Sequence, residues 1–360
     1  MSHYINEFKG YQPLCMINDN EYLLYKKSRF LIVDLTKKEI KKSFRIDLDV
    51  YSKIKESAKI FQRLFRTRTR ASLTINNEEV IFSKRNRIFH LDLEKQSIKE
   101  IFRSSSGFST PLNLTKSLTE DYIAVFGDYG GNPNYEKVSI YGINHHLGVE
   151  KLYSFASNTI KHIHNIIPDV DLENYYVLTG DNEPEAGIYL IDKDFQKLIP
   201  IFLGDPKARI VVAFDTPEGL LCATDSVSHQ NYIYLLDTKT GKIIKEIAKI
   251  NGSCIYATKC ATGFIFSTTV EPPEEYTMFN KFTLKRGKGI LSNSIDILHV
   301  SEDHEVNLVH QLKKDFFPAQ LFQFGTVMFA AGQENEIMVL GYCHATRKKD
   351  GEMLLLKYSY

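Results

Sequence analysis

The stretch YLLDTKTGKIIKEI, Tyr234–Ile247, decides the fold because it joins a strand, an acidic turn and a second strand. Three further stretches repeat this arrangement: Ile32–Phe44, His90–Phe102 and Tyr189–Phe202. Weaker copies fill the gaps, near Gly142–Phe155, Ser301–Leu312 and Asp350–Tyr358. A repeat of roughly fifty residues, built of strands and turns, is typical of a radial array of four-stranded sheets. The sequence therefore predicts an all-β fold, a β-propeller of four-stranded blades.

The number of repeats predicts the number of blades. Seven units can be marked, at about 11–47, 59–102, 107–155, 159–202, 207–249, 252–312 and 316–358. Six blades are the alternative, if one of the first two units is discarded. No linker rich in Pro, Ser or Gly divides the chain, so we expect a single domain over 1–360. Tyr4–Phe8 is expected to supply the outer strand of the last blade, and Val50–Leu64 a short helix.

The composition limits the class of protein. The 360 residues are 43% hydrophobic and 25% charged, which is ordinary for a soluble globular protein, and the formal net charge is +1. A dedicated nucleic-acid binder would carry a basic excess, so we expect no nucleic-acid partner. No apolar run approaches the roughly 20 residues that span a bilayer. The start, MSHYINEFKG, lacks the apolar core of a secretory signal, so a cytoplasmic location is expected.

Polar residues recur where the strands of successive units end. In a propeller the loops at one end of the ring share a central funnel, so residues far apart in sequence can converge there. The candidate catalytic residues are Asp128, Tyr129, His162, His164, Asp181, Asp225 and Glu271. The candidate substrate-binding residues are Arg66, Asn132, Arg209, Asn231 and Gln323.

Two histidines stand out among these candidates. His162 and His164 flank Ile163, so both imidazoles point to one face of a strand. Such a pair can bind a divalent metal with a nearby carboxylate such as Asp181 or Asp225. It can equally act as an acid/base pair, since histidine titrates near neutral pH, or brace the junction between blades. The sequence leaves these three readings open, and no cofactor is certain.

Three aspartates follow strands at equivalent points of successive units. Asp128, Asp181 and Asp225 come directly after Gly127, Gly180 and Thr224. A turn aspartate often bonds its own backbone, but three at one rim would suit sugar hydroxyls, a metal or general acid/base work. The arginines among the candidates can grip a carboxylate or phosphate through paired hydrogen bonds.

These motifs resemble the BNR-repeat, sialidase-like β-propeller superfamily, in its uncharacterised bacterial branch. The likeness covers about Ala71 to Gly332 and rests on FGDYGGNP, on HIHN followed by LTGD, and on EAGIY, ATDS, STTVEP and LFQFG. The Asp-box of that superfamily survives in VSEDHEVNL, which keeps Ser301 and Asp303 but has Glu305 at the glycine position.

The resemblance implies a carbohydrate as ligand. Sialidases use three arginines, a Tyr/Glu nucleophile and an Asp acid/base, for which this chain offers Arg66, Arg103, Arg209, Tyr129 and Asp128. The histidine pair looks more like the propellers that cleave uronic-acid sugars. We therefore expect a glycosidase or a polysaccharide or uronide lyase that acts on a glycan or glycan precursor in the funnel. The alternative is a non-catalytic propeller that binds a glycan or a protein partner.

Overall fold

The structure is a computed structural model that describes every residue except 1, 47–53, 106, 107, 110, 183, 275–279 and 358–360. The described residues form seven four-stranded antiparallel blades arranged as a β-propeller. This confirms the seven-blade prediction, and the six-blade alternative is wrong because both of the first two units form complete blades.

The strands follow the chain from the axis outwards within each blade. Blades one to three comprise β2 Gln12–Asn18, β3 Glu21–Lys26, β4 Arg29–Asp34 and β5 Glu39–Arg45; β6 Thr69–Asn76, β7 Glu79–Lys84, β8 Arg87–Asp92 and β9 Ser97–Arg103; and β11 Thr115–Lys116, β12 Tyr122–Gly127, β14 Val138–Asn144 and β15 Val149–Phe155. A separate pair, β10 Phe108–Ser109 and β13 Tyr129–Gly130, lies beside blade three.

The remaining blades repeat this order. They comprise β16 Ile163–Pro168, β17 Asn174–Thr179, β18 Gly187–Asp192 and β19 Leu198–Leu203; β20 Ile210–Thr216, β21 Gly219–Thr224, β22 Asn231–Asp237 and β23 Lys242–Ile250; β24 Cys254–Cys260, β25 Gly263–Thr268, β26 Ser294–Val300 and β27 Val306–Lys313; and β28 Thr326–Phe329, β29 Met338–His344 and β30 Met353–Lys357, completed by β1 Ser2–Ile5.

The acidic turns that mark the sequence repeat join the third and fourth strands of a blade. In blade one, Oδ1 of Asp34 accepts a hydrogen bond from the amide of Lys37 at 2.9 Å. Asp92, Asp192 and Asp237 accept equivalent bonds at 2.7–2.9 Å. A carboxylate that bonds amides within the next few residues holds the chain in a tight turn, so these aspartates shape the outer hairpins and stay away from the funnel.

The core lies between the blades. Within the described residues, seven apolar clusters each join two neighbouring blades. Between blades one and two, for example, Phe30 packs on Phe82 with ring centroids 6.1 Å apart. Phe and Tyr are the largest fully buried side chains, as expected for a chain without Trp. Flat aromatic rings suit this position because they fill the wedge between two twisted sheets.

The ends of the chain and two insertions complete the ring. β1 pairs with β30, so the N-terminal segment does supply the outer strand of blade seven, although over Ser2–Ile5 rather than Tyr4–Phe8. The helix expected over Val50–Leu64 is α1, Lys59–Leu64; residues 50–53 lie outside the described residues. A second short helix, α2 Ala319–Phe322, precedes β28, and single 3-10 turns occur at Pro206–Ala208 and Asn280–Phe282. Among the described residues, no helix is long and apolar enough to cross a membrane.

Candidate functional site

The candidate site lies where the innermost strands begin. β16 starts at Ile163, whose buried side chain packs between blades three and four. Since side chains alternate along a strand, His162 and His164 point the other way. Their rings lie side by side with centroids 4.8 Å apart and planes tilted by 45°, and each side chain is only 3% exposed. The ring of Tyr129 lies 4.7 Å from that of His162, so three aromatic side chains gather here.

Backbone carbonyls fix the orientation of both imidazoles. Nδ1 of His162 lies 2.6 Å from the carbonyl of Gly130, and Nδ1 of His164 lies 2.9 Å from that of Ile210. A carbonyl can only accept, so both Nδ1 atoms carry the hydrogen. In the neutral rings both Nε2 atoms therefore present a lone pair, which is how metal-binding histidines are usually oriented.

Asp181 faces these two lone pairs. Its Oδ1 lies 3.6 Å from Nε2 of His162 and 3.5 Å from Nε2 of His164. It follows β17 through Gly180, whose φ is +125°, and a Cβ at that position would approach the Cα of Ala186 to 2.4 Å. Only glycine allows this turn, which aims the carboxylate at the histidines.

The resulting group is suited to a positive charge. One atom from each of the three residues lies within 4.8 Å of the others, and Nε2 of His162 has no hydrogen-bond partner among the described residues. Burial alone would raise the pKa of Asp181, but the two imidazoles outweigh it and hold that pKa well below its usual value. Two nitrogen lone pairs and a carboxylate repel one another unless a proton or a metal cation lies between them.

Arg209 links this group to further carboxylates. Its Nη2 lies 3.5 Å from Oδ1 of Asp181, its Nε lies 3.7 Å from Oδ2 of Asp225, and its Nη1 bonds Glu274. Lys161 adds an ion pair to Asp181 at 2.9 Å. The basic side chains therefore balance part of the negative charge on this side of the funnel.

Asp225 and Glu271 lie behind Arg209. Burial, followed by the charge of Glu271, raises the pKa of Asp225 well above its usual value. Burial likewise raises the pKa of Glu271, although Ser253 and Thr269 both donate to its Oε1. Burial and mutual repulsion therefore both favour the protonated form of these carboxyl groups.

A cavity of about 240 Å³ opens beside this group. Asp181 and Arg209 form part of its wall, and most of its other lining groups are hydroxyls, amides and ring nitrogens: Asn182, Ser226, Ser228 and His229. Pockets for drug-sized ligands usually span about 300–1,000 Å³, so this one suits a polar group near the size of one sugar ring.

The other predicted residues lie outside this group. Asp128 accepts hydrogen bonds from the amide of Ser139 at 2.9 Å and the hydroxyl of Tyr141 at 3.2 Å, both within blade three. Asn132 bonds the backbone of Glu136 within its own loop.

Three more candidates support loops or lie on the rim. Asn231 is fully buried and bonds Ser226 and the carbonyl of Gly289. Gln323 donates to the carbonyl of Arg63 at 2.8 Å. Arg66 is exposed and donates to the carbonyl of Gln320 at 3.1 Å.

Three residues at the site were not among the candidates from the sequence. Lys161 and Glu274 contact Asp181 and Arg209, and Arg70 stands 5.5 Å from the ring of Tyr129. Arg70 was the easiest of these to predict from the sequence, because it alternates with buried residues at the start of an innermost strand, as His164 does.

Comparison with known proteins supports the fold. No known protein family matches the sequence, and no curated protein matches it. The Cps50 (Swd1) β-propeller domain of Myceliophteria thermophila has a TM-score of 0.57 at 10% identity, with 100% of each chain covered. Oligogalacturonate lyase in complex with manganese has a TM-score of 0.53 at 9% identity, covering 99% of this chain and 90% of the other. The oligogalacturonate lyase of Vibrio parahaemolyticus has a TM-score of 0.57 at 7% identity, covering 98% and 90%.

At these identities the likeness shows the fold alone. The chain is therefore a seven-bladed β-propeller by structure, and its resemblance to the sialidase-like superfamily stays a prediction.

Proposed function

We propose that this propeller holds a divalent cation between His162, His164 and Asp181 and acts there on an acidic carbohydrate as a lyase. The observation that carries the proposal is the orientation of the two imidazoles. Both Nδ1–H groups are bound by backbone carbonyls, and both Nε2 lone pairs meet the same carboxylate oxygen. A pair of histidines with one carboxylate is a ligand set for first-row divalent metals, and it leaves positions open for a substrate.

The cation would supply Lewis-acid chemistry: it would bind an oxygen of the substrate carboxylate and increase the acidity of the neighbouring C–H. The protein then needs a base that removes this proton. His162 and His164 would present their free nitrogens to the cation, so Tyr129 is the candidate base. Its ring lies beside His162, and the guanidinium of Arg70 is 5.5 Å from its centroid. Burial raises the pKa of Tyr129 overall and the positive charge of Arg70 lowers it in part, so Tyr129 would act as a base only if the bound cation stabilised its phenolate as well.

In this reaction the C–H proton moves to the base, the glycosidic C–O bond breaks, and a carbon–carbon double bond forms in the sugar. The leaving sugar oxygen takes up a proton from water and departs as a hydroxyl group. Two of the propellers with similar structures are oligogalacturonate lyases, one of them in complex with manganese, which supports the reaction class. Glycosidase chemistry has less support. It needs two carboxyl groups that reach opposite sides of one bond, whereas Asp225 and Glu271 are buried together behind Arg209.

Sialidase chemistry also has less support, because the three arginines do not converge. Arg103 is paired with Glu100 on an outer strand, and Arg66 bonds Gln320 on the rim. The second candidate function is a glycan-binding module without catalysis. It is favoured by the small polar cavity, whose hydroxyl and amide groups at Asn182, Ser226 and Ser228 suit sugar hydroxyls.

Metal binding is the first experiment. The protein is loaded with Mn²⁺ or Zn²⁺, and the bound ion is counted by plasma mass spectrometry. We expect one ion in the wild type, and affinity lower by at least about a hundredfold in His164→Ala and Asp181→Asn, since even supporting residues are worth 10–100-fold. The control is His299→Ala, a half-buried histidine that bonds Thr262 on an outer face of blade six. A wild type that binds no ion would overturn the metal part of the proposal.

A turnover screen tests the reaction. The protein is incubated with sialosides, uronides and nucleotide-linked sugars, with and without EDTA, and products are identified by mass spectrometry. The lyase is supported if the wild type forms an unsaturated uronide as product and the variants Tyr129→Phe and His164→Ala do not. Released sialic acid would support the sialidase reading instead, and binding without any product would support the glycan-binding module.

A further inference from the structure

Four loop segments on one end of the ring are unusually apolar at their surface. They are 54–66, which contains α1, 281–288, 313–322, which contains α2, and 345–350. Of the eighteen large apolar side chains exposed in the described part of the chain, nine belong to these segments. They are Ile54, Ile60, Phe61, Leu64, Phe65, Phe282, Leu284, Phe316 and Phe317, with exposed fractions of 40–70%. We call these four segments the rim patch.

The rim patch is continuous. Arg66 donates to the carbonyl of Gln320, and Arg63 stands 5.4 Å from the ring of Phe317, so the first and third segments touch. α2 contacts the turn Asn280–Phe282, which leads into the second segment. The backbone amide of Arg347 donates to the carbonyl of Lys313, and its guanidinium lies 4.6 Å from the ring of Phe316, so the third and fourth segments touch.

The charge of the rim patch departs from that of the whole chain. Its segments contain thirteen Lys and Arg against three acidic residues, in a protein whose net charge is +1. The exposed bases are Lys59, Arg66, Lys281, Lys285, Arg286, Lys288, Lys313, Arg347 and Lys348. The acids of these described segments are not exposed, and each forms an ion pair within the protein: Glu56 with Lys84, Asp315 with Arg63, and Asp350 with Lys59.

The rim patch lies at the same end of the ring as the candidate site. α1 precedes β6 and α2 precedes β28, just as His162 precedes β16. Innermost strands of neighbouring blades run in the same direction, so the segments before them share one end of the ring. Segments 281–288 and 345–350 follow the second strands of blades six and seven, which run back to this end. The last residue of each second strand pairs with the first residue of the innermost strand: Thr268 with Cys254, and His344 with Thr326.

We propose that the rim patch binds the surface of an anionic lipid bilayer and so turns the mouth of the funnel towards the membrane. Aromatic and branched side chains among lysines and arginines, with no exposed acid, match a surface that is negative outside and apolar beneath. A protein partner with an ordinary mixed surface would instead leave these like charges unpaired. This inference goes beyond the proposed function and does not depend on it, because it concerns binding and not turnover.

Vesicle co-sedimentation tests the proposal. The full chain is mixed with vesicles of phosphatidylcholine alone or of phosphatidylcholine with phosphatidylglycerol, at low and high salt. We expect binding to the anionic vesicles only, weakened by salt. Each surface lysine or arginine contributes about a fivefold change in partition coefficient, so Lys285→Ser/Arg286→Ser should lower it by roughly 25-fold. The control, Lys242→Ser/Lys245→Ser on the outer strand β23, should bind as the wild type does.

A second pair of variants tests the apolar part. Phe61→Ser/Phe65→Ser is expected to lose at least about tenfold in partition coefficient. The control Ile244→Ser/Leu308→Ser removes apolar side chains elsewhere that are even more exposed, and it should lose none. Circular dichroism melting curves verify that each variant is folded. Equal binding to neutral vesicles, or unchanged binding by the rim-patch variants, would overturn the proposal. So would a wild-type dimer that the same variants convert to a monomer, because a second copy would then cover the patch.

Discussion

Asp128 and Asp181 follow strand ends in neighbouring blades, yet their surroundings give them opposite properties. Asp181 faces two imidazoles and two basic side chains, which stabilise its negative charge. Asp128 is buried inside blade three, where desolvation raises its pKa to about 6 despite hydrogen bonds from Ser139 and Tyr141. Position after a strand therefore does not decide the role of such a residue. The nearest charges decide it.

Replacement of Asp128 by Asn should stabilise the protein at neutral and alkaline pH. The pKa of Asp128 is about 6 in the folded state and about 4 in the unfolded state. The ionised carboxylate therefore destabilises the folded protein above pH 6. The wild type gains stability as the pH falls from about 7 to 4 and the carboxyl group becomes protonated. Both hydrogen bonds reach the same oxygen, Oδ2, and the amide oxygen of Asn can accept them. We expect the free energy of unfolding of Asp128→Asn to exceed that of wild type by about 1–3 kcal/mol at pH 8 and to equal it at pH 4.

Urea unfolding at the two pH values measures this effect. The matched control is Asp237→Asn in an outer turn, where hydrogen bonds from Thr240 and Lys239 lower the pKa of the carboxyl. There the sign is opposite: the ionised form stabilises the folded state above the unfolded pKa, so the variant should be the weaker protein at pH 8. A D128N variant that is less stable than wild type at pH 8 would contradict this expectation and show that the ionised carboxylate stabilises blade three.

At the scale of the element, α1 joins two blades that are far apart in sequence. Arg63, which is 4% exposed, donates from Nε to the carbonyl of Phe322 at 2.7 Å and pairs with Asp315. Gln323 returns a hydrogen bond to the carbonyl of Arg63. α1 has only six residues and no side-chain cap at its start, so it is too short to be stable alone and depends on these contacts.

Replacement of Arg63 by Met should release α1 from blade seven. The substitution keeps an apolar stem but leaves Asp315 with Lys314 as its remaining partner, so we expect a loss of about 3–5 kcal/mol, as for other broken buried ion pairs. Limited proteolysis should then cut within 54–66 much faster than in wild type. Arg66→Ala, which removes an exposed arginine three residues further on, should change stability by less than about 1 kcal/mol. Equal proteolysis of the two variants would contradict this role for Arg63.

The elements also show how much of the molecule the sequence could predict. The acidic turns have a local cause, the bond from each aspartate to the next few amides, so they revealed the blades directly. The partner of Arg63 is 252 residues away, and such contacts leave no pattern in the sequence. His162, His164 and Asp181 could be proposed as a group because each lies at a strand end in the sequence pattern. Lys161 and Glu274 could not be foreseen, since their partners lie in other loops.

At the scale of the whole molecule, stability depends on closing the ring. Each apolar cluster lies between two blades, so every blade needs a neighbour on both sides. Blades one and seven, from opposite ends of the chain, join through the amide of Met16 and the carbonyl of Ala331 at 2.8 Å. β1 adds the outer strand of blade seven and reaches blade six as well, since the hydroxyl of Tyr4 bonds His310 at 2.8 Å.

Removal of residues 1–5 should therefore weaken the whole ring rather than one strand. The deletion breaks the pairing of Ser2–Ile5 with β30, uncovers buried Leu354 and Leu356, and removes the bonds to His310. At about 1 kcal/mol for each backbone bond and more for buried Ile5, the loss should be roughly 3–6 kcal/mol. The exposed edge of β30 should also promote aggregation on heating, because it offers unpaired backbone groups. Calorimetry and light scattering measure both effects. Ile5→Ser should reproduce part of the loss, because Ile5 is buried, and His3→Ser should cause no loss, because the side chain of His3 is exposed. An unchanged melting temperature in the deletion variant would show that the ring stays closed without β1.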